Sequence, residues 1–276
     1  MTTAFVLVTD SQYFHKAKVT INDLRTAGNW FGDIVLITID FHLDEQYRQA
    51  YNIIEQKFNP IDKTQLLQKI GPHGFDNSDK REIHKLNQWE KLHVFDHYFL
   101  NWDRIVFLDA GLRVLYNVKY LLELDYKDKI LAPIDGTQLI TRPTDIFRHQ
   151  LDHKNTDIIN LIKQDFGEEI LDSTFMLNCM WVYDTNILHK CDKSQLIEAM
   201  NKYTVCRTNE MGIMNLLFHF KYKLWEKFPA LASNGKYLFE WCELNNSFHT
   251  TWQNYCFLKY PVTISLNQRF VNHLIS

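Results

Sequence analysis

Residues 102–111 read Trp102-Asp103-Arg104-Ile105-Val106-Phe107-Leu108-Asp109-Ala110-Gly111. Arg104–Leu108 predicts a strand, because its apolar run is short and continuous, the pattern of a strand covered on both faces. The run ends on Asp109, and the C-terminal tip of a parallel strand is where open α/β sheets bind ligands. Working outward, apolar Leu86, Trp89, Leu92, Val94, Phe95, Tyr98 and Phe99 predict an amphipathic helix over 86–99. At the start of the chain, a strand over 5–9, a helix over 19–27 and a strand over 34–39 form a right-handed βαβ unit with a buried parallel sheet. Residues 43–58 read as helix, Gly71-Pro72-His73-Gly74 as a turn, 131–134 and 178–183 as strands, and 211–220 as helix. The remainder, 224–276, is aromatic-rich and without a clear period.

The expected class is therefore α/β, with a mixed, mainly parallel central sheet flanked by helices. Its composition of 46% hydrophobic, 14% aromatic and 23% charged residues excludes disordered, collagenous and coiled-coil classes. Thirty basic against 33 acidic residues give a net charge of -3, so no basic surface for nucleic acid or anionic membrane is advertised. Five scattered cysteines contain no Cys-x-x-Cys pair and read as reduced thiols. Met1-Thr2-Thr3-Ala4 runs into an apolar strand with no basic leader, and no apolar run approaches the roughly 18 residues of a membrane span. The expectation is a cytoplasmic protein. No Pro-, Gly- or Ser-rich linker divides it, so a single domain over 1–276 is expected.

Nine glycines form neither Gly-x-Gly-x-x-Gly nor a Walker loop, which removes the backbone cradle of dinucleotide and P-loop chemistry. Gly-x-Ser-x-Gly and His-Glu-x-x-His are also absent, so hydrolase readings lose their usual support. His93 and His97, four apart on the expected helix, read as a solvated face rather than a metal pair.

Four motifs in order carry a family resemblance. Lys91-Leu92-His93 precedes the strand ending in Asp109-Ala110-Gly111; Phe5-Val6-Leu7-Val8-Thr9-Asp10-Ser11-Gln12-Tyr13 opens the chain; Leu177-Asn178-Cys179 and Glu210-Met211-Gly212-Ile213-Met214-Asn215 follow. Together they resemble glycosyltransferase family 8, the glycogenin-like enzymes. In that family a Lys-Leu-His helix precedes Asp-x-Asp, and Phe-Asn-Ser-Gly and Asp-Gln-x-x-Leu-Asn follow. The resemblance implies a GT-A fold with a nucleotide-sugar donor half over 1–115 and an acceptor half over 116–276. It implies transfer of a hexose, from UDP-sugar or a related donor, to a sugar, glycan or protein acceptor with retention of configuration, and it is compatible with a homodimer.

Residue by residue, the resemblance implies that Thr9, Asp10 and Tyr13 line the base and ribose. Lys91 matches the family lysine that contacts the donor, with Lys85 a second cation on the same approach, Lys259 a loose match to the family's late lysine and Arg113 a further donor-side cation, and Asp109 is the first ligand of Mn²⁺ or Mg²⁺. Asn178 and Glu210 reach the sugar, with Asp172 as a nearby carboxylate. Each has a plainer alternative: Asp109 as a strand-end cap, Lys91 on a solvated face, Tyr13 in the core, and Glu210 as a helix-start carboxylate.

Two positions depart from the family. Gly111 stands where the second Asp is expected, and Met211 where Gln is expected. Three readings of the first follow: His249 joins Asp109 in holding the cation, which is the preferred one; Arg113 and Lys91 neutralise the diphosphate instead; or the protein binds donors without transferring. The last is a nucleotide-sugar-binding pseudoenzyme. A non-enzymatic module using the aromatic tail from Trp225 through Trp252 as a partner surface is the alternative from another class.

Overall fold

The computed structural model describes residues 1–70, 83–134, 146–151, 155–203, 209–241 and 254–259. The expected turn at 71–74, together with His249, lies outside them, and so does the side chain of Lys85. Among the described residues, ten strands form two sheets. The first seven-stranded sheet contains β1 (Thr3–Thr9), β2 (Asp33–Thr38), β3 (Ile53–Gln56), β4 (Arg104–Leu108), β6 (Ile130–Ala132), β7 (Met180–Asp184) and β8 (Trp225–Lys227). The smaller one joins β5 (Arg113–Val114), β9 (Tyr237–Trp241) and β10 (Tyr255–Lys259).

The large sheet runs in the order β3-β2-β1-β4-β7-β6-β8. Strands β3, β2, β1 and β4 are mutually parallel, while β7 lies antiparallel to both β4 and β6. This is the mixed, mainly parallel sheet that the continuous apolar runs predict. All five residues of β4 and of β7 are buried, so both faces are covered. Stacked Phe107 and Trp181, with ring centroids 3.9 Å apart, hold the two strands together on one face. The chain builds β1 to β3 on one side and then crosses to place β4 on the other. The strand order therefore reverses between β1 and β4, and their C-terminal tips flank a topological switch point.

Helix α1 (Phe14–Arg25) connects β1 to β2. Arg25 at its last turn donates to the carbonyls of Trp30, Gly32, Tyr51 and Asn52, which ties the helix end to the loops entering β2 and β3. The helical reading of 43–58 is corrected here. Asp44 caps a short helix α2 (Glu45–Ala50) by accepting from the Tyr47 N–H; the chain then turns at Asn52 with φ +46, and Ile53-Ile54 pair with β2 as β3. The 86–99 stretch is two 3-10 segments, Ile83–Phe95 and His97–Asn101, broken where extended Asp96 accepts from the Tyr98 N–H. His93 is buried rather than solvated, stacked on Phe58 at 4.6 Å, while His97 remains exposed.

Residues 211–220 split into α7 (Glu210–Met214) and a π-helical turn, Asn215–Lys221; the helices before it are α3 (Thr64–Ile70), α4 (Lys119–Leu122), α5 (Thr156–Phe166) and α6 (Lys193–Lys202). The tail yields β8, β9 and β10; within the span from Trp225 through Trp252, Phe228 and Phe239 are buried packing residues, Trp225 and Tyr237 are half-buried, and Trp252 lies outside the described residues. Among the described residues no helix is long and apolar enough to cross a membrane.

Candidate functional site

Four segments meet where β4 ends. The Asp109 N–H donates to the Cys179 carbonyl at 2.9 Å, continuing the β4–β7 ladder one step and holding the Asp109 carboxylate at the strand tip. Lys91 comes from the 3-10 segment Ile83–Phe95, Glu210 opens α7, and Lys259 closes β10. Lys91 Nζ stands 2.9 Å from Asp109 Oδ1 and 3.1 Å from Glu210 Oε1. Lys259 Nζ stands 3.0 Å from Asp109 Oδ2 and donates to the Ala110 carbonyl at 3.3 Å. Asn178 Nδ2 donates to Glu210 Oε1 at 2.6 Å. Five residues named from the sequence, Lys91, Asp109, Asn178, Glu210 and Lys259, are thus brought together.

The carboxylates respond to this setting in opposite ways. Burial works against the Asp109 charge, but Lys259 and Lys91 outweigh it and hold the carboxyl below the usual range. Glu210 is only 1% exposed, and burial pushes its carboxyl up against the pull of Lys91. Its Oε2 has no hydrogen-bond partner among the described residues. Burial also disfavours the Lys91 charge, yet Asp109 and Glu210 together raise its affinity for the proton, so it is an ammonium. The neighbouring Cys179 thiol is pushed up to about 12 by burial and stays protonated.

The first strand contributes the adjoining turn. Asp10 Oδ1 accepts from the Tyr13 N–H at 2.9 Å, and Asp10 Oδ2 from Asn87 Nδ2 at 3.0 Å, while the Thr9 hydroxyl donates to the Asp10 carbonyl. Tyr13 is half-buried, and Lys16 Nζ lies 4.8 Å from its ring centroid. Lys16 and Asn87 escaped the sequence reading. Asn87 stands four residues before Lys91, and Lys16 follows Tyr13 by three, so spacing from the named residues is the signal that could have found them.

Two named residues sit elsewhere in this structure. Arg113 makes a fork to Asp23, with Nε at 2.5 Å, and is committed to that buried pair rather than free as a counter-charge. Asp172 pairs with Arg148 at 2.8 Å on the exposed surface and makes no contact with the cluster.

Mn²⁺ and Mg²⁺ are hard cations that need several oxygen ligands, and the described residues do not fit one here. Both Asp109 oxygens are engaged by ammonium groups, and position 111 has no side chain. Among the described residues no three His, Cys, Asp or Glu gather in an arrangement that could hold a metal ion. The two ammonium groups fixed on Asp109 would oppose a divalent ion there by like-charge repulsion.

No family model matches the sequence, and no curated protein matches it significantly. Solved structures do match. The galactosyltransferase LgtC, crystallised with donor and acceptor sugar analogues, is similar over 98% of this chain and 94% of its own, with TM-score 0.60 and 14% identity. Core-mannan synthase A of Aspergillus fumigatus, in its Mn/GDP form, is similar over 83% of this chain and 73% of its own, with TM-score 0.50 and 10% identity. The chain spans 45% of the length of the longer glycosyltransferase GlyE of Streptococcus pneumoniae, with TM-score 0.49, 13% identity and 83% of this chain covered. The fold is that of the GT-A glycosyltransferases.

Proposed function

We propose that this chain is a glycosyltransferase that passes a hexose from a nucleoside-diphosphate sugar, a UDP-sugar by the family resemblance, to an acceptor hydroxyl with retention of configuration. The observation that carries the reading is the buried cluster of Lys91, Asp109, Lys259, Glu210 and Asn178 at the switch point of a GT-A sheet. In the transfer the bond from the anomeric carbon to the diphosphate oxygen breaks. The acceptor oxygen forms the new bond, and its proton leaves with the diphosphate. Negative charge grows on the leaving group, and cations already fixed in place stabilise that charge without reorganising.

The turn of Thr9, Asp10 and Tyr13 receives the nucleoside: the Tyr13 ring by stacking, and Asp10 by accepting from a base N–H or ribose hydroxyl. Each Asp10 oxygen already accepts one hydrogen bond and retains capacity for another. The free Oε2 of Glu210 is an acceptor for a sugar hydroxyl, with Asn178 orienting the carboxylate through Oε1. The donor half is 1–115 and the acceptor half 116–276 of one catalytic domain, in a cytoplasmic protein compatible with a homodimer.

Gly111 and Met211, which replace polar family positions, favour a second reading in which the donor binds without transfer. Incubation with a panel of nucleoside-diphosphate sugars separates the two readings. Release of the nucleoside diphosphate with at least one donor, slow with water and faster with a sugar acceptor, is expected. Binding without release under any acceptor would establish the second reading.

A further inference from the structure

Resting on the transferase reading and its donor-side lysines, we propose that Lys91 and Lys259, with Lys16 beside them, serve the diphosphate in place of a divalent cation, so that donor binding and transfer need none.

Asp109 lies between the two lysines as a positioning group: one oxygen fixes Lys91 Nζ at 2.9 Å and the other fixes Lys259 Nζ at 3.0 Å. An ammonium has three N–H donors. Lys91 spends two, on Asp109 and Glu210, and Lys259 spends two, on Asp109 and the Ala110 carbonyl. One donor on each remains for a phosphate oxygen, so the anion enters without dismantling the cluster. Both lysines are held on secondary structure and nearly buried, with 11% and 8% side-chain exposure, so little freedom is lost when they meet a ligand.

Gly111 belongs to the same arrangement. Its φ of +85 is a conformation that side chains rarely adopt, and its N–H donates to the Thr20 hydroxyl at 3.0 Å, which in turn donates to the Leu112 carbonyl. A Cβ placed there would meet Lys16 Cβ at 3.4 Å, so the Lys16 chain runs along the side of the backbone that a second carboxylate would take. Burial and the nearby Lys259 charge both lower the proton affinity of Lys16, while Asp109 raises it, which places all three charges in one electrostatic neighbourhood. Where a second acidic ligand is expected, this chain has a glycine backed by a third lysine. A surface of that sign attracts a diphosphate and repels a cation.

The test is calorimetric titration of UDP, GDP, CDP and ADP in turn into the wild-type protein, once with EDTA and once with Mn²⁺. At least one is expected to bind with Kd values agreeing within about threefold in the two conditions. Weakening of tenfold or more in EDTA, restored by Mn²⁺, overturns the proposal and leaves the transferase reading standing. Absence of binding by all four in both conditions overturns the transferase reading, and the proposal with it. In EDTA, Lys259→Met is expected to weaken the bound nucleotide at least tenfold and Lys259→Arg to recover most of the loss. A Lys259→Met protein with a wild-type melting temperature and unchanged Kd contradicts the proposal, and the wild-type comparison decides the question if that variant does not fold.

Discussion

Asp109 illustrates what a residue's neighbours in sequence reveal and what they conceal. A carboxylate after a continuous apolar run is legible as a strand-tip residue, because its position follows from local pattern alone. That Lys91 and Lys259 would each take one of its oxygens is not legible, because they come from distant segments joined only by the fold. The same limit explains Arg113 and Asp172. A charge has no partner in sequence, and the fold commits one to Asp23 and the other to Arg148. Gly111 was visible as a departure from a pattern, but its reason, a positive φ, belongs to the backbone. Gly111→Ala is expected to cost about 1–2 kcal/mol, the usual penalty for a side chain in left-handed backbone, because its Cβ meets only ordinary contact distances. Urea denaturation measures this, and an unchanged midpoint would show that the conformation imposes no cost.

Elements were legible where a long apolar pattern outweighed local choices. The βαβ start and β4 were of this kind: their strands form within two residues of the expected bounds, while the helix between β1 and β2 begins at Phe14, five residues before its expected start. Short elements were not: β3 has four residues and β8 three, too few to display a period against the helix-compatible residues around them. Strand β10, as long as β4, was lost because it lies in the aromatic-rich 224–276 stretch that shows no clear period, although it supplies Lys259. The 211–220 segment read as one helix because its apolar residues recur, yet it widens into a π-turn at Asn215. That fully buried side chain accepts from the Met176 N–H at 2.8 Å and donates to the carbonyls of Met176 and Met211, at 3.0 and 2.9 Å. It bolts α7, and with it Glu210, to the segment leading into β7. Asn215→Ala is expected to destabilise the protein by about 3 kcal/mol, since it strands a buried N–H and two carbonyls. The check is a lowered denaturation midpoint at unchanged slope. Wild-type stability in this variant would detach the side chain from that role.

At the scale of the molecule, one apolar cluster reaches from β1 to β10, and several of the charges buried beside it are paired with an opposite charge. The largest such group outside the site is Lys63, Glu90 and His93, in which Glu90 bonds Lys63 and accepts from the Ile61 N–H while His93 Nε2 lies 2.9 Å away. Burial alone would raise the Glu90 carboxyl, but His93, Lys63 and Ile61 together hold it below the ordinary value of 4.5. The folded protein therefore binds this proton less readily than the unfolded chain. The resulting stability is present above pH 4.5 and is lost as pH falls through the folded value. Glu90→Gln is expected to lose about 2 kcal/mol at pH 7, in the range of hydrogen bonds to charged groups. Its stability should also fall less steeply than the wild type's below pH 4.5; parallel curves in urea denaturation from pH 3 to 7 would contradict the assignment.

The central claim is that a nucleotide lies across the tips of β1 and β4. Amide hydrogen exchange, with and without the nucleoside diphosphate that binds, tests it most directly. Slowed exchange over 9–16, 87–92, 107–112, 176–180 and 255–259, with the remainder of the described strands unchanged, is the predicted result. Protection confined to other segments, or none at saturating nucleotide, would contradict it.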